Sequence, residues 1–332
     1  MNKQVLLSYG GGGIEMNDFL NDFILKNINS DNSQGLSEDA AVCDGFSKIA
    51  FSTDSFVLDP LFIKGANIGK IAACGSINDV LMMGAKPKYL TLGLILEEGF
   101  NLDELKIILN DLSKTAKEFE IGIKCGDLKV VPKGKADKIY INTTCIGDAL
   151  GFTKNNNIGT KSIKEDDVII ISADVGRHGA CVMAEREGFS YDISSDAKCL
   201  YNEVKDILKY DIKCLRDATR GGLASVLNEL SRASKLDFII NESDIKVSDG
   251  VLGLCELLGF EALELANEGT FVCICDKKDA NEVLKELRKY NEFANIIGYT
   301  KKSSNPSVIL NTNYGGSRLL QMPKGELLPR IC

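Results

Sequence analysis

Helical and strand periodicities alternate along both halves of this chain, which predicts an α/β protein, α+β in its first half, built as two domains with an extended mobile tail. Three observations carry that expectation. The 332 residues are about two ordinary domains' worth. Period-2 and period-3.6 apolar patterns succeed one another throughout. A polar, glycine-bearing stretch at 151–167, GFTKNNNIGTKSIKEDD, interrupts them as a surface connection would. The expected division is 1–150, 151–314 and a tail over 315–332.

In chain order, Met16, Phe19, Leu20, Phe23, Ile24 and Ile28 share a face of an expected helix over 14–28. Short runs at 40–43 and 48–52, separated by Asp44-Gly45, read as a hairpin. Small and apolar residues at helical spacing over 65–84 predict a helix that stops at Gly84 and Pro87. A strand follows over 89–96, a helix over 102–119 and an alternating strand over 138–146. Beyond the connection, expected strands at 168–172, 238–240, 271–275, 294–300 and 308–311 alternate with helices at 179–187, 196–208, 223–233, 251–257 and 279–289. The last residues, from Tyr314, have glycines and prolines but no apolar period, which predicts an extended tail.

Composition narrows the function. A net charge of -8 opposes binding to nucleic acid through phosphate neutralisation. It does not oppose ATP, because magnesium bridges carboxylates to phosphates. The apolar runs fall short of the roughly 20 residues a membrane span needs. The opening MNKQVLLSYGGGG has no extended apolar core, so a cytoplasmic protein with reduced thiols is expected. The eleven cysteines form no CxxC pair and His178 is the one histidine, so the common zinc patterns are missing and most thiols should be small core hydrophobes.

Five aspartates stand at the junctions of expected elements: Asp39, Asp54, Asp79, Asp127 and Asp217. Singly, each could be a cap or turn residue. Asn78-Asp79 stands out, because a charge inside a small, apolar helix needs a partner or a metal. Lys129 follows Asp127 by two, so in an extended segment both side chains project to one face, toward a phosphate or as a surface ion pair. The glycines at 10–13 could be a flexible arm or a phosphate cradle. His178, just before a helix, reads as a capping or packing residue outside the site. Cys332 ends the chain and cannot be a prenylation box, which leaves accident or a tethered carrier thiol.

The order of the motifs resembles the PurM-like ATP-binding superfamily and, within it, the HypE family of hydrogenase-maturation carbamoyl dehydratases. The carrying segments are the glycines at 10–13, Glu38-Asp-Ala-Ala-Val42, Ser52-Thr-Asp-Ser-Phe56, Ser76-Ile-Asn-Asp-Val80 through Pro87, Gly126-Asp-Leu-Lys-Val130, Arg216-Asp-Ala-Thr-Arg-Gly-Gly-Leu223, Ala266-Asn-Glu-Gly-Thr270 and the terminal Pro329-Arg-Ile-Cys332. The resemblance implies a homodimer formed through the first domain, with ATP and Mg between the domains and across the dimer. It maps the five aspartates onto metal and phosphate positions, with Thr53, Asn78 and Lys129 beside the nucleotide. It makes Glu268 a proton acceptor, Lys129 a catalytic cation and Cys332 the loaded thiol. The implied reaction is ATP-dependent dehydration of an S-carbamoyl group on Cys332 to a thiocyanate, the source of the cyanide ligand of NiFe hydrogenase. The implied partners are a carbamoyltransferase of HypF type and a HypC–HypD scaffold that accepts the cyano group.

Tyr9, Leu128 and Arg177 depart from the family's histidine, threonine and acid at those places. Three other PurM-like enzymes are alternatives: aminoimidazole ribonucleotide synthetase, thiamine monophosphate kinase and selenophosphate synthetase. So is a noncatalytic thiol carrier.

Overall fold

The computed structural model describes residues 4–11, 13–28, 40–153, 156–325, 328 and 330–332. The first helical segment runs as α1 (Ile14–Phe19), a π-helical turn (Leu20–Ile24) and α2 (Leu25–Ile28), and it buries Phe19, Ile24 and Ile28. Next come β1 (Ile49–Phe56), the two-residue strands β2 (Phe62–Ile63) and β3 (Ala66–Asn67), α3 (Ile68–Met82), β4 (Lys86–Glu97), α4 (Leu102–Glu118), β5 (Gly122–Val131) and β6 (Ile139–Asp148). The main sheet here has the order β1-β6-β4-β5, with only β4 and β5 parallel.

The expected hairpin at 40–52 does not form. Residues 41–46 carry no regular structure, and the strand that follows runs from Ile49 to Phe56 and pairs with β6 in the register Ile49↔Asp148. The Asp44-Gly45 turn signal is local, whereas β6 presents a complete ladder of partners.

α3 is buried nearly all round, as a helix with sheet on one side and helices on others must be. The Asn67 side chain caps it, accepting from the amides of Gly69 and Lys70. Gly69 lets α4 approach, since a Cβ there would stand 2.1 Å from the Ile108 carbonyl oxygen. α3 and α4 cover one face of the sheet. Among the described residues no helix covers the other, open face, which exposes Ile49, Phe51 and Ile95.

The second half comprises β7 (Val168–Ile171), α5 (Arg177–Glu187), α6 (Tyr201–Ile207), β8 (Ile212–Asp217), α7 (Gly222–Ser234), β9 (Leu236–Asn241), α8 (Asp249–Leu258), β10 (Phe271–Cys275), α9 (Ala280–Leu287), β11 (Asn295–Lys302), β12 (Val308–Asn311) and β13 (Ser317–Leu319). Its seven-stranded sheet has the order β13-β12-β9-β11-β7-β10-β8. Seven of the eleven cysteines are buried, Cys273 and Cys275 among them on the interior strand β10.

Two expectations need correction here. The helix expected from Asp196 begins only at Tyr201, because Ser195 and Asp196 spend their side chains on distant partners. The tail is not irregular from 315 onward, since Ser317–Leu319 adds β13 to the edge of β12 and Leu320 is buried. Among the described residues no helix is long and apolar enough to cross a membrane.

Candidate active site

Strand parity sets the site. On β1, Ser52, Asp54 and Phe56 share the face that meets α3, where Phe56 packs on Gly75 and Thr143 of β6 bonds the carbonyl of Ala72. The Ser52 hydroxyl donates to Asp79 Oδ2 at 2.5 Å, which fixes the α3 carboxylate beside Asp54. Burial first, then the charge of Asp79, pushes the Asp54 carboxyl up to about 6, and its Oδ2 is buried with no hydrogen-bond partner.

Asp217, at the end of β8, comes from the second half of the chain to the same place. Burial and then Asp79 push it up to about 7, with Asp54 adding to the effect and Arg216 opposing it. Glu268 is buried and held well above the usual carboxylate range by desolvation, then by Asp196, Asp217 and Asp54. Arg220 opposes the rise at both Asp54 and Glu268. It is carried by a turn through Gly221 and Gly222, both left-handed at φ 73° and 59°.

An acid cluster in which Asp79 raises the pKa of both Asp54 and Asp217, with an unpartnered buried oxygen, fits a divalent cation. Among the described residues no three such side chains form a ready-made cage. Mg²⁺ suits that arrangement, because it binds through one or two carboxylates, keeps waters and takes the rest of its ligands from phosphate. Asp54, Asp79 and Asp217 are the side chains that would hold it.

The tail brings Cys332 into this cluster. The amides of Val57 and Asp59 donate to the carbonyls of Cys332 and Arg330 at 3.0 and 3.1 Å, so the end of the tail lies against 57–59. The Arg330 guanidinium bonds the Val57 carbonyl and pairs with Asp137. Ile331 is buried, and its carbonyl meets His178 Nε2 at 2.8 Å. Burial pushes the Cys332 thiol up to about 12, helped by Glu268 and opposed by Arg220. A cavity of about 380 Å³ opens beside it, lined by Val57, Arg220, Gly221, Ala266 and Arg330 among others.

Other sequence candidates lie elsewhere. Asp127 and Lys129 pair at 2.9 Å on the edge strand β5. Their register, Asp127↔Gly93↔Asn142↔Ser55, puts them on the open face, opposite to Asp54. Thr53 is on that open face too, bonded to Thr144. Asn78 is committed to the backbone of the second half, donating to the Lys198 carbonyl and accepting from the Leu200 amide. Gly10 backs onto Val130 of β5. Asp39 lies outside the described residues. From sequence His178 reads as a capping or packing residue outside the site, and Asp196 and Arg220 are not among the site candidates. The two glycines after Arg220 were a visible signal for a sharp turn, whereas nothing local marks the other two.

Residues 37–149 match the family AIR synthase related protein, N-terminal domain, and residues 164–311 match its C-terminal domain. The chain is 36% identical to carbamoyl dehydratase HypE of Escherichia coli strain K12, over 99% of this chain and all of that one. The chain belongs to the HypE family. Its two-domain fold is therefore PurM-like. A crystal structure of a hydrogenase maturation protein HypE in complex with ATP superposes with a TM-score of 0.94 at 37% identity, covering 98% of this chain and 99% of that one. HypE in a crystal structure of a HypE–HypF complex superposes with a TM-score of 0.79 at 38% identity, over 92% and 99% of the two chains.

Proposed function

We infer that this chain is an ATP-dependent carbamoyl dehydratase acting on an S-carbamoyl group carried by its own Cys332. The reaction turns S–C(=O)NH₂ plus ATP into S–C≡N, ADP and phosphate, the elements of water leaving with the phosphate. ATP supplies the phosphoryl group that makes the carbamoyl oxygen a leaving group, and Mg²⁺ neutralises charge developing in the transfer. The observation that carries this reading is the docked terminal thiol among Glu268, Asp217, Asp54 and Arg220. A phosphoryl acceptor, a base and a metal-binding acid pair converge there.

The chain's own groups divide the work. Asp54, Asp79 and Asp217 hold the cation. Glu268, with its raised pKa and its place beside the sulfur, takes the proton from the carbamoyl nitrogen. Arg220 offsets the negative charge around both. A thiol pushed up to about 12 is a poor nucleophile at neutral pH, so carbamoyl loading belongs to an undocked tail, out in water. A HypF-type carbamoyltransferase loads it there, and a HypC–HypD complex receives the cyano group for a NiFe hydrogenase in the cytoplasm.

Asp127 and Lys129 need a second copy of this chain to join the site. Among the described residues, strands β1 and β5 are the two edges of the first sheet. Its open face exposes Ile49, Phe51 and Ile95 beside a groove of about 720 Å³ that Asp127 also lines. A homodimer formed through this face would cover the apolar residues and carry the Asp127–Lys129 pair of one copy toward the acids of the other.

Intact-mass spectrometry after incubation with the carbamoyltransferase, carbamoyl phosphate and ATP tests the reaction. The C-terminal peptide should gain a carbamoyl group and then lose one water. Glu268→Gln should keep the gain and slow the loss by roughly a hundred- to ten-thousand-fold. A carbamoyl adduct that never loses water in the unsubstituted protein would refute the dehydratase reading.

A further inference from the structure

His178 is fully buried at the start of α5, and it bonds from both ring nitrogens. Nε2 meets the Ile331 carbonyl at 2.8 Å and Nδ1 meets Ser195 Oγ at 2.8 Å. A carbonyl only accepts, so Nε2 carries the hydrogen. Desolvation holds the ring below its ordinary pKa, so it is neutral, and Nδ1 accepts from the Ser195 hydroxyl.

The tail explains why this bond matters. Arg330 is left-handed at φ 54°, so the last three residues are not a regular strand, and their carbonyls divide between two sides. Those of Arg330 and Cys332 are taken by the amides of Asp59 and Val57. The Ile331 carbonyl faces the other way, into a buried region, and His178 is what satisfies it. A one-residue slip of the tail would leave the histidine without its acceptor and carry the sulfur away from Glu268.

The next residue along reaches the other side of the reaction. Ser195 also accepts from the Ala197 amide, which sets its hydroxyl toward the ring. Asp196 is buried and accepts from the amides of Glu268 and Gly269 and from the Thr270 hydroxyl, each at 3.0 Å. The fit is close, since a Cβ on Gly269 would stand 2.0 Å from the Asp196 carbonyl oxygen.

We propose that His178 is a positioning residue for the docked tail, and that Ser195-Asp196 ties it to the loop carrying Glu268, so that one buried brace sets sulfur and base relative to each other. The catalytic importance of the brace rests on the dehydratase reading above. The docking role does not, and it is tested without turnover.

The measurement is the rate of iodoacetamide alkylation at Cys332, followed by peptide mass mapping at fixed pH, with buried Cys273 as an internal control for unfolding. His178→Asn keeps a polar side chain but cannot reach Ile331, whereas His178→Gln places a donor near the position of Nε2. Release of the thiol from its buried site should raise the rate at Cys332 about tenfold or more in the Asn variant, with the Gln variant within about threefold of the unsubstituted protein. Nucleotide affinity should be unchanged in both. Equal rates at Cys332 in the unsubstituted and Asn proteins, or equal increases in both variants, would overturn the assignment. Where Cys273 becomes reactive in the Asn variant, Ser195→Ala decides instead, because it leaves His178 in place but frees the ring. Cys332 should then alkylate faster while Cys273 stays protected, and an unchanged rate would overturn the brace.

Discussion

Asp54 illustrates at the scale of one residue how a functional group can oppose folding. Its carboxyl, pushed up to about 6, and that of Asp217, pushed up to about 7, are each more readily charged in the unfolded chain than in the folded one. The stability these groups allow is therefore fully present below the ordinary carboxylate range and lost as pH rises through about 6 to 7. Without nucleotide and cation, the melting temperature should fall between pH 5 and pH 8, and Asp54→Asn should flatten that fall. At pH 8 the variant should melt a few degrees higher than the unsubstituted protein, since about 1 kcal/mol corresponds to about 2–4 °C in domains of this size. It should also lose magnesium-dependent ATP hydrolysis. A variant that melts lower at pH 8 yet hydrolyses ATP normally would remove Asp54 from the cation site. The acids at 54, 79 and 217 could be read from sequence as a group through the family's motifs, and Asp79 also through its place inside an apolar helix. His178 could not, because its partner is 153 positions away in the chain.

Secondary elements were legible where their periodicity was their own. α3 and α4 are both evident in sequence, and the reason α3 is apolar on every side is that the sheet, α4 and the second half of the chain all pack on it. Gly69→Ala should drive a methyl into the Ile108 carbonyl and cost about 1–3 kcal/mol, read as a lower midpoint in urea with unchanged slope. A midpoint equal to that of the unsubstituted protein would mean that α3 and α4 are farther apart than the structure has them. Elements whose identity depends on distant partners were harder to read. Strand β8 has Lys213 at a buried position, held by Asp211 at 2.6 Å, and that charge hides its apolar pattern. β13 is three residues long and exists because β12 offers it an edge. Ser195 and Asp196 look like a helix start until their side chains are seen to serve His178 and the 268–270 loop.

For the whole molecule, the acids of the site and the Asp127–Lys129 pair lie on opposite faces of one sheet, and association is what could bring them together. Phe51 is 74% exposed on the open face, beside Ile49 and in the same strand as Asp54. Phe51→Glu replaces that apolar surface with a charge, and like charges facing each other across a two-fold interface repel. Size-exclusion chromatography with light scattering should show the unsubstituted protein at twice the mass of the variant. Magnesium-dependent ATP hydrolysis per chain should fall in the variant by about tenfold or more if a lysine and a carboxylate from the second copy complete the phosphate site. Tail docking uses only contacts within one chain, so slow alkylation of Cys332 should persist in the monomeric variant. That separates loss of assembly from loss of fold. A monomer with full hydrolysis would confine the nucleotide site to a single chain and leave the Asp127–Lys129 pair as a surface ion pair, whereas a monomer with slow hydrolysis and a protected thiol would assign that pair to the neighbouring copy's site.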